Sequence, residues 1–208
     1  MTQLGLYEQL INKLLLSKLN DLDRSKYYIK ESEIDKSAVG AIITLLHQIE
    51  ELMKFWSGEP PAILRSGGIG VREVKKAADA LGVEENYLIF IAELSYLAGL
   101  LTIDGDDRIL PSNNFDIWLT QSAETRWSAL AANWLTTSRV SGLVGRGEAK
   151  SVAALGPELD RVNAARVRAL TLELLRENQG IAPDWNSFKE VLSWRAPVRR
   201  NSSLQDEL

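Results

Sequence analysis

Apolar residues in the middle of this chain recur first at helical spacing and then at strand spacing. Val39, Ile42, Ile43, Leu46, Ile49, Met53 and Trp56 form one stripe, with Gly40, Thr44, His47, Glu51 and Lys54 on the opposite face. That pattern predicts a helix over Ser37–Trp56, with Ser37 as its cap. A short extended run, Ile63 and Leu64, follows Pro60-Pro61, and Gly67-Gly68 and Gly70 then turn the chain sharply. Val71, Val74, Ala78 and Leu81 return to helical spacing over Val71–Leu81, and Gly82 is placed to end that helix in a left-handed cap. Glu84 and Glu85 suit the positive start of a second helix, Glu84–Ala98, closed by Gly99. Two strands, Leu100–Asp104 and Asp107–Leu110, flank the hairpin signal Asp104-Gly105. Helix, short strand, helix, helix, hairpin is the order of a winged helix-turn-helix.

The flanks are more helical. Leu4–Leu19 is apolar at 4, 7, 11 and 14 and again at 6, 10, 15 and 19, a wide greasy face. Asn20–Ser32 is lysine-rich and polar around Tyr27-Tyr28-Ile29, and reads either as a loop with a short strand or as a linker. After a turn at Pro111–Asn114, a helical region begins at Phe115–Leu119, and Ser122 caps Ala123–Leu135 with Glu124 in its first turn. Ser138–Gly156 is rich in glycine and serine and is expected to be the least ordered interior stretch. A further helix is expected over Glu158–Asn178, ended by Gly180, and a short one from Asp184 to Trp194, stopped before Pro197. The expected fold class is mostly α with a small β-hairpin, a winged helix-turn-helix followed by a helical subdomain. Its parts would be an N-terminal helix and linker (1–36), a winged-helix domain (37–112), a C-terminal helical subdomain (113–200) and a tail (201–208).

Composition adds a charge argument. With 45% apolar and 25% charged residues the chain is ordinary for a globular protein. Residues 58–110 hold five basic against nine acidic side chains, so the expected winged helix is the acidic part of the chain. A surface that neutralises phosphates is locally basic. No apolar run approaches the roughly 18–20 residues of a membrane helix, and the N-terminus lacks a cleavage pattern, so a cytoplasmic location is expected.

The chemistry available is narrow. There is no cysteine, hence no thiol nucleophile, and a histidine triad would have to use the one histidine, His47, whose place on the polar face of its helix reads as a solvated surface position. Gly67–Gly70 is not a phosphate loop, because Val71-Arg72-Glu73 stands where Gly-Lys-Ser/Thr would be needed. Asp104, Asp106 and Asp107 fail the calcium-loop spacing, since Arg108 and Phe115 occupy its fifth and twelfth positions. No metal, no cofactor, no small-molecule partner and no catalysis are expected. The five cations of this region remain as candidates for touching nucleic acid. Arg72, Lys75 and Lys76 share one helix face, with Arg65 upstream and Arg108 in the wing. In a winged helix the first helix of the pair crosses the phosphate backbone, so these residues would position DNA without reading it.

The second helix decides against base reading. Glu85–Gly99 (ENYLIFIAELSYLAG) has no lysine or arginine and is apolar nearly all round. A DNA-reading helix presents Arg, Lys, Asn or Gln to base edges. Beyond a core stripe of Leu88, Ile91 and Ala98, this one presents Tyr87, Ile89, Phe90, Glu93, Leu94, Tyr96 and Leu97. Such a helix is normally buried on both sides. Tyr87, Phe90, Leu94 and Leu97 are therefore the candidate docking residues, packing on later helices of the chain or on a partner.

The pattern GGIGVREVKKAADALGVEE, LAGLL, DGDD and LP, then FDIWLTQSAETRWSALAANWL, SRVSGLVG and LSWRAP, resembles the helicase-associated domain of bacterial XPB-type proteins. The resemblance covers roughly Ser37–Arg200 and rests on the whole pattern. It implies a winged-helix accessory region of a longer, helicase-related chain in DNA metabolism or repair, without the parts that hydrolyse ATP. The partners it implies are the helicase core or other domains of that parent chain, with DNA as a further one. The expectation is a non-catalytic module acting by protein docking, with at most weak, non-specific DNA contact. The alternative is a duplex-DNA-binding winged helix that uses its wing and the first helix of the pair.

Overall fold

A computed structural model describes residues 31–146, 151–178 and 184–195. The expected helix Leu4–Leu19, most of the stretch Asn20–Ser32, Gly180, Pro197 and the tail lie outside those residues. Among the described residues the fold is mostly α with one small antiparallel sheet. The helices are α1 (Glu31–Gly58), α2 (Val71–Leu81), α3 (Glu85–Leu97), α4 (Asn113–Leu119), α5 (Ala123–Thr136), α6 (Ala164–Glu177) and α7 (Trp185–Arg195). None of these is long and apolar enough to cross a membrane. The strands are β1 (Leu101–Ile103) and β2 (Ile109–Pro111), paired in the register Leu101 to Pro111 and Ile103 to Ile109. Ala62 bridges Arg108, and Ile63 N–H donates to Asp107 O at 2.8 Å, so the run after Pro60-Pro61 lies along β2 as a third, very short strand.

The chain divides into two compact units, with boundaries inside α1 after Ser37 and inside α6 after Arg168. The larger, Ala38–Arg168, is built on one core. Leu45, Leu46, Ile49, Leu52, Met53 and Trp56 of α1 are buried together with Val74, Ala77 and Ala78 of α2 and Leu88, Ile91 and Leu94 of α3. Leu100 and Ile109 of the hairpin, Trp118 of α4 and Leu130 of α5 complete it. Local signals explain the ends of the elements. Gly82 takes φ +64° after α2, Ser112 Oγ accepts Asn114 N–H at 3.2 Å, and Ser122 Oγ accepts Thr125 N–H at 3.3 Å. Arg126 of α5 pairs with Glu50 of α1 and lies 4.8 Å above the Trp118 ring, joining α5 to the long helix. In the smaller unit Leu174, Phe188, Val191 and Leu192 are buried. Asp184 caps α7 through Asn186 N–H and Ser187 N–H, and Arg195 pairs with Glu177 at 2.7 Å.

Four expectations are corrected. Ser37 does not cap α1 but lies within it, because Glu31–Lys36 carries the helix on toward its N-terminus. Val39 and Ile43 are 59% and 52% exposed, while Leu45 and Leu52 take the core positions. The stripe that starts at Leu45 repeats at three, four and seven residues and tracks α2 and α3 better than one through Val39. Helix α6 starts at Ala164, not Glu158. Asp160 is extended and bridges Arg139, and Arg161 N–H donates to Ser138 O at 2.8 Å, so this stretch is pinned to another strand-like segment. Most consequentially, Ser138–Gly156 is not a loose connector. Outside residues 147–150 it buries Val140, Leu143 and Ala154, and Ile69 N–H donates to Ala154 O at 2.8 Å.

Candidate functional site

In a winged-helix protein the second helix of the pair is the element that reads bases. Here that helix, α3, packs against α5 and the turn Ser141–Leu143 as well as against α2. One side chain fastens the covering. Glu93, in the middle of α3, is 3% exposed, and its Oε2 accepts from Arg139 Nε at 2.7 Å and its Oε1 from Arg139 Nη2 at 3.1 Å. The same Oε1 accepts the Leu155 N–H at 2.7 Å. A single carboxylate therefore holds both ends of the covering segment. Arg139 Nη2 also donates to Gly156 O at 3.0 Å, and its guanidinium lies 5.0 Å from the centre of the Tyr96 ring, one turn along α3 from Glu93.

Energetics explain why such a pair specifies the arrangement more than it stabilises it. Burial alone would pull the Arg139 guanidinium down, but the hydrogen bond and charge of Glu93 outweigh this and hold it above its ordinary value. Desolvating two ions costs several kcal/mol each, so the pair nets little, whereas removing one partner strands the other at a cost of about 3–5 kcal/mol.

Two further features fix the segment. Leu155 sits at φ +58°, a left-handed conformation that costs a leucine on the order of 1–3 kcal/mol. That conformation accompanies the Leu155 N–H on Glu93. Gly68, at φ +74°, passes so close to the segment that a Cβ there would stand 2.7 Å from Gly156 N and closer still to Ala154 O. Only glycine fits. Arg168, 6% exposed, donates Nη1 to Trp134 O at 3.0 Å and to Thr137 O, and Nη2 to Arg139 O. It satisfies carbonyls at the end of α5 and holds the main chain of Arg139. Burial lowers its pKa from the ordinary value.

The candidate docking residues have different surroundings. Leu94 is 3% exposed, in the core. Tyr87 and Phe90 are half-buried and pack against that core, and the Tyr87 hydroxyl donates to Gln48 Oε1 of α1 at 2.7 Å. Burial raises the Tyr87 pKa. Leu97 is half-buried.

The five candidate nucleic-acid contacts, Arg65, Arg72, Lys75, Lys76 and Arg108, are all exposed. Two are engaged. Lys76 Nζ is 2.7 Å from Glu59, whose hydrogen bond and charge raise the lysine pKa. Arg108 is 3.2 Å from Asp104 and 2.8 Å from Asp106, so the wing's cation is matched by its own turn. Asp104 Oδ1 also accepts Asp106 N–H at 2.9 Å and Arg108 N–H at 2.8 Å. The aspartate cluster thus serves the hairpin tip. Arg65, Arg72 and Lys75 make no ion pair among the described residues. Among those residues no group of three His, Asp or Glu side chains is placed to hold a metal.

Sequence reasoning missed Glu93, Arg139 and Arg168 as a connected set. The one signal was a mid-helix carboxylate among apolar neighbours, which needs a cation from elsewhere in the chain. Comparison with family models, curated proteins and solved structures finds no match to this chain, so a functional reading stands on the geometry above.

Proposed function

We propose that this protein is a non-catalytic winged-helix accessory module of a helicase-related system in DNA metabolism or repair, acting by protein docking with at most weak, non-specific DNA contact. The observation that carries the reading is the covered α3. Its outer face meets the chain's own Ser138–Gly156 segment, with Glu93 latched to Arg139 at 2.7 Å, and it has no basic side chain to offer a groove. The partner on this reading is the helicase core or another domain of a parent chain, as the resemblance implies.

A second reading has its own support. Arg65, Arg72 and Lys75 are exposed cations without an ion pair among the described residues, on or beside the helix that crosses the backbone in winged-helix complexes. On that reading the protein binds duplex DNA through α2 and the wing. Titration of labelled single- and double-stranded oligonucleotides separates the two. The docking reading expects weak binding at low salt that vanishes at physiological salt, because few phosphates are neutralised. Firm duplex binding at physiological salt, abolished by Arg72→Glu with Lys75→Glu, would replace it with the second.

A further inference from the structure

Between the face of the wing and the covering segment lies a cavity of about 310 Å³. Its floor is apolar. Ile103 stands opposite Ile109 in the β register, so their side chains share one face, and Leu101 joins them there. Pro157 and Tyr96 line its sides. The volume is at the lower end of the roughly 300–1,000 Å³ typical of small-molecule sites, which are mostly apolar with a few fixed polar groups.

The fixed polar group here is Arg139, the one charged side chain lining the cavity among the described residues. That side chain is 11% exposed. Nε and Nη2 are taken by Glu93 and Gly156 O, while Nη1 has no acceptor among the described residues. A guanidinium held rigid on two sides, with one nitrogen left over in an apolar slot, is a preorganised donor. The acceptor that gains most from it is anionic, because charge-assisted hydrogen bonds are roughly twice as strong as neutral ones. Glu93, with its side chain 4% exposed, does not line the cavity; its charge balances that of Arg139, so the gain to an anion comes from the hydrogen bond at Nη1 and not from net charge.

We propose that this cavity binds a small monocarboxylic acid with an apolar body, its carboxylate accepting from Arg139 Nη1 and its body lying on Leu101, Ile103 and Ile109. The proposal is independent of the docking reading. The sequence predicted no small-molecule partner because the walls come from separate stretches of the chain, brought together only by the covering segment.

The test is a titration of the isotopically labelled full chain, followed by amide NMR, with 3-phenylpropionate, octanoate and the neutral 3-phenylpropanamide. Expected are saturable shifts confined to Tyr96, Leu101–Ile109, Arg139 and Leu155–Gly156, with the phenyl acid bound about tenfold more tightly than its amide. Ile103→Trp fills the slot from the wing side at a position 59% exposed, and should abolish the shifts while leaving Tm unchanged. The proposal is overturned if neither acid gives saturable shifts, if acid and amide bind equally, if the shifts map elsewhere, or if the folded Ile103→Trp protein binds as before.

Discussion

Glu93 and Arg139, 46 residues apart in sequence, form a two-point ion pair with contacts of 2.7 and 3.1 Å, and that pair closes the cover over α3. Each half is poorly exposed, so each depends on the other. Arg139→Ala should destabilise the protein by about 3–5 kcal/mol in urea unfolding, because it leaves a buried carboxylate unpaired. Glu93→Leu with Arg139→Met should cost less than Arg139→Ala alone, even though the Leu155 N–H then loses its acceptor. Additive costs would show that the two side chains do not act as a pair.

Glycines at left-handed positions differ in what surrounds them. Gly82 has φ +64° and nothing within 4 Å of where a Cβ would stand, so Gly82→Ala should cost only about 1 kcal/mol, from backbone strain. Gly68→Ala adds a clash with Ala154 O to the same strain, and should cost upwards of about 3 kcal/mol. Thermal unfolding of the two variants side by side checks the order.

Arg168 should not be replaceable by lysine. Its two terminal nitrogens reach three carbonyls, those of Trp134, Thr137 and Arg139, while its guanidinium lies 5.3 Å from the Trp134 ring centre. An ammonium lacks the planar fork. Arg168→Lys should therefore lose about 2 kcal/mol or more, close to the cost of Arg168→Ala. A lysine variant as stable as the parent would show that charge alone is needed.

The wing tip carries a pH dependence of defined sign. Asp104 is held below its ordinary value of 3.8, first by the Arg108 backbone N–H, with that of Asp106 and the Arg108 side chain adding enough to outweigh the opposing effect of burial. A carboxylate with a lowered folded pKa contributes stability that is present above its unfolded pKa and fades as pH falls through the folded value. Protection of the Asp106 and Arg108 amides, taken relative to the intrinsic exchange rate at each pH, should be constant from neutral pH to about 4 and fall only below it. Asp104→Ala should show a loosened tip already at neutral pH and no acid transition.

What could be read from sequence was what is local. The stop at Gly82, the cap at Ser122 and the hairpin around Asp104-Gly105 depend on residues within a few positions, so pattern alone places them. The cover is non-local. Glycines and serines in Ser138–Gly156 look like slack, but Gly156 is there because a Cβ would meet Ala153 O at 2.8 Å, and Gly68 because the segment passes over it. Glu93 read as one more outward residue of α3, since nothing at three or four residues' distance could neutralise it and Arg139 lies in another element. Val39 and Ile43 read as core because helical period shows that an apolar face exists, not which neighbours reach it.

Because the chain has no cysteine, one introduced thiol reports directly on whether α3 is covered. Ile89→Cys, at a side chain 6% exposed beside Val144 and Ala154 of the cover, should react with a thiol reagent at least about a hundredfold more slowly than Thr102→Cys on the exposed wing, and should speed up when Arg139→Ala is added. Equal rates for the two single-thiol variants, both otherwise unchanged and folded, would contradict the covered helix and the docking reading built on it.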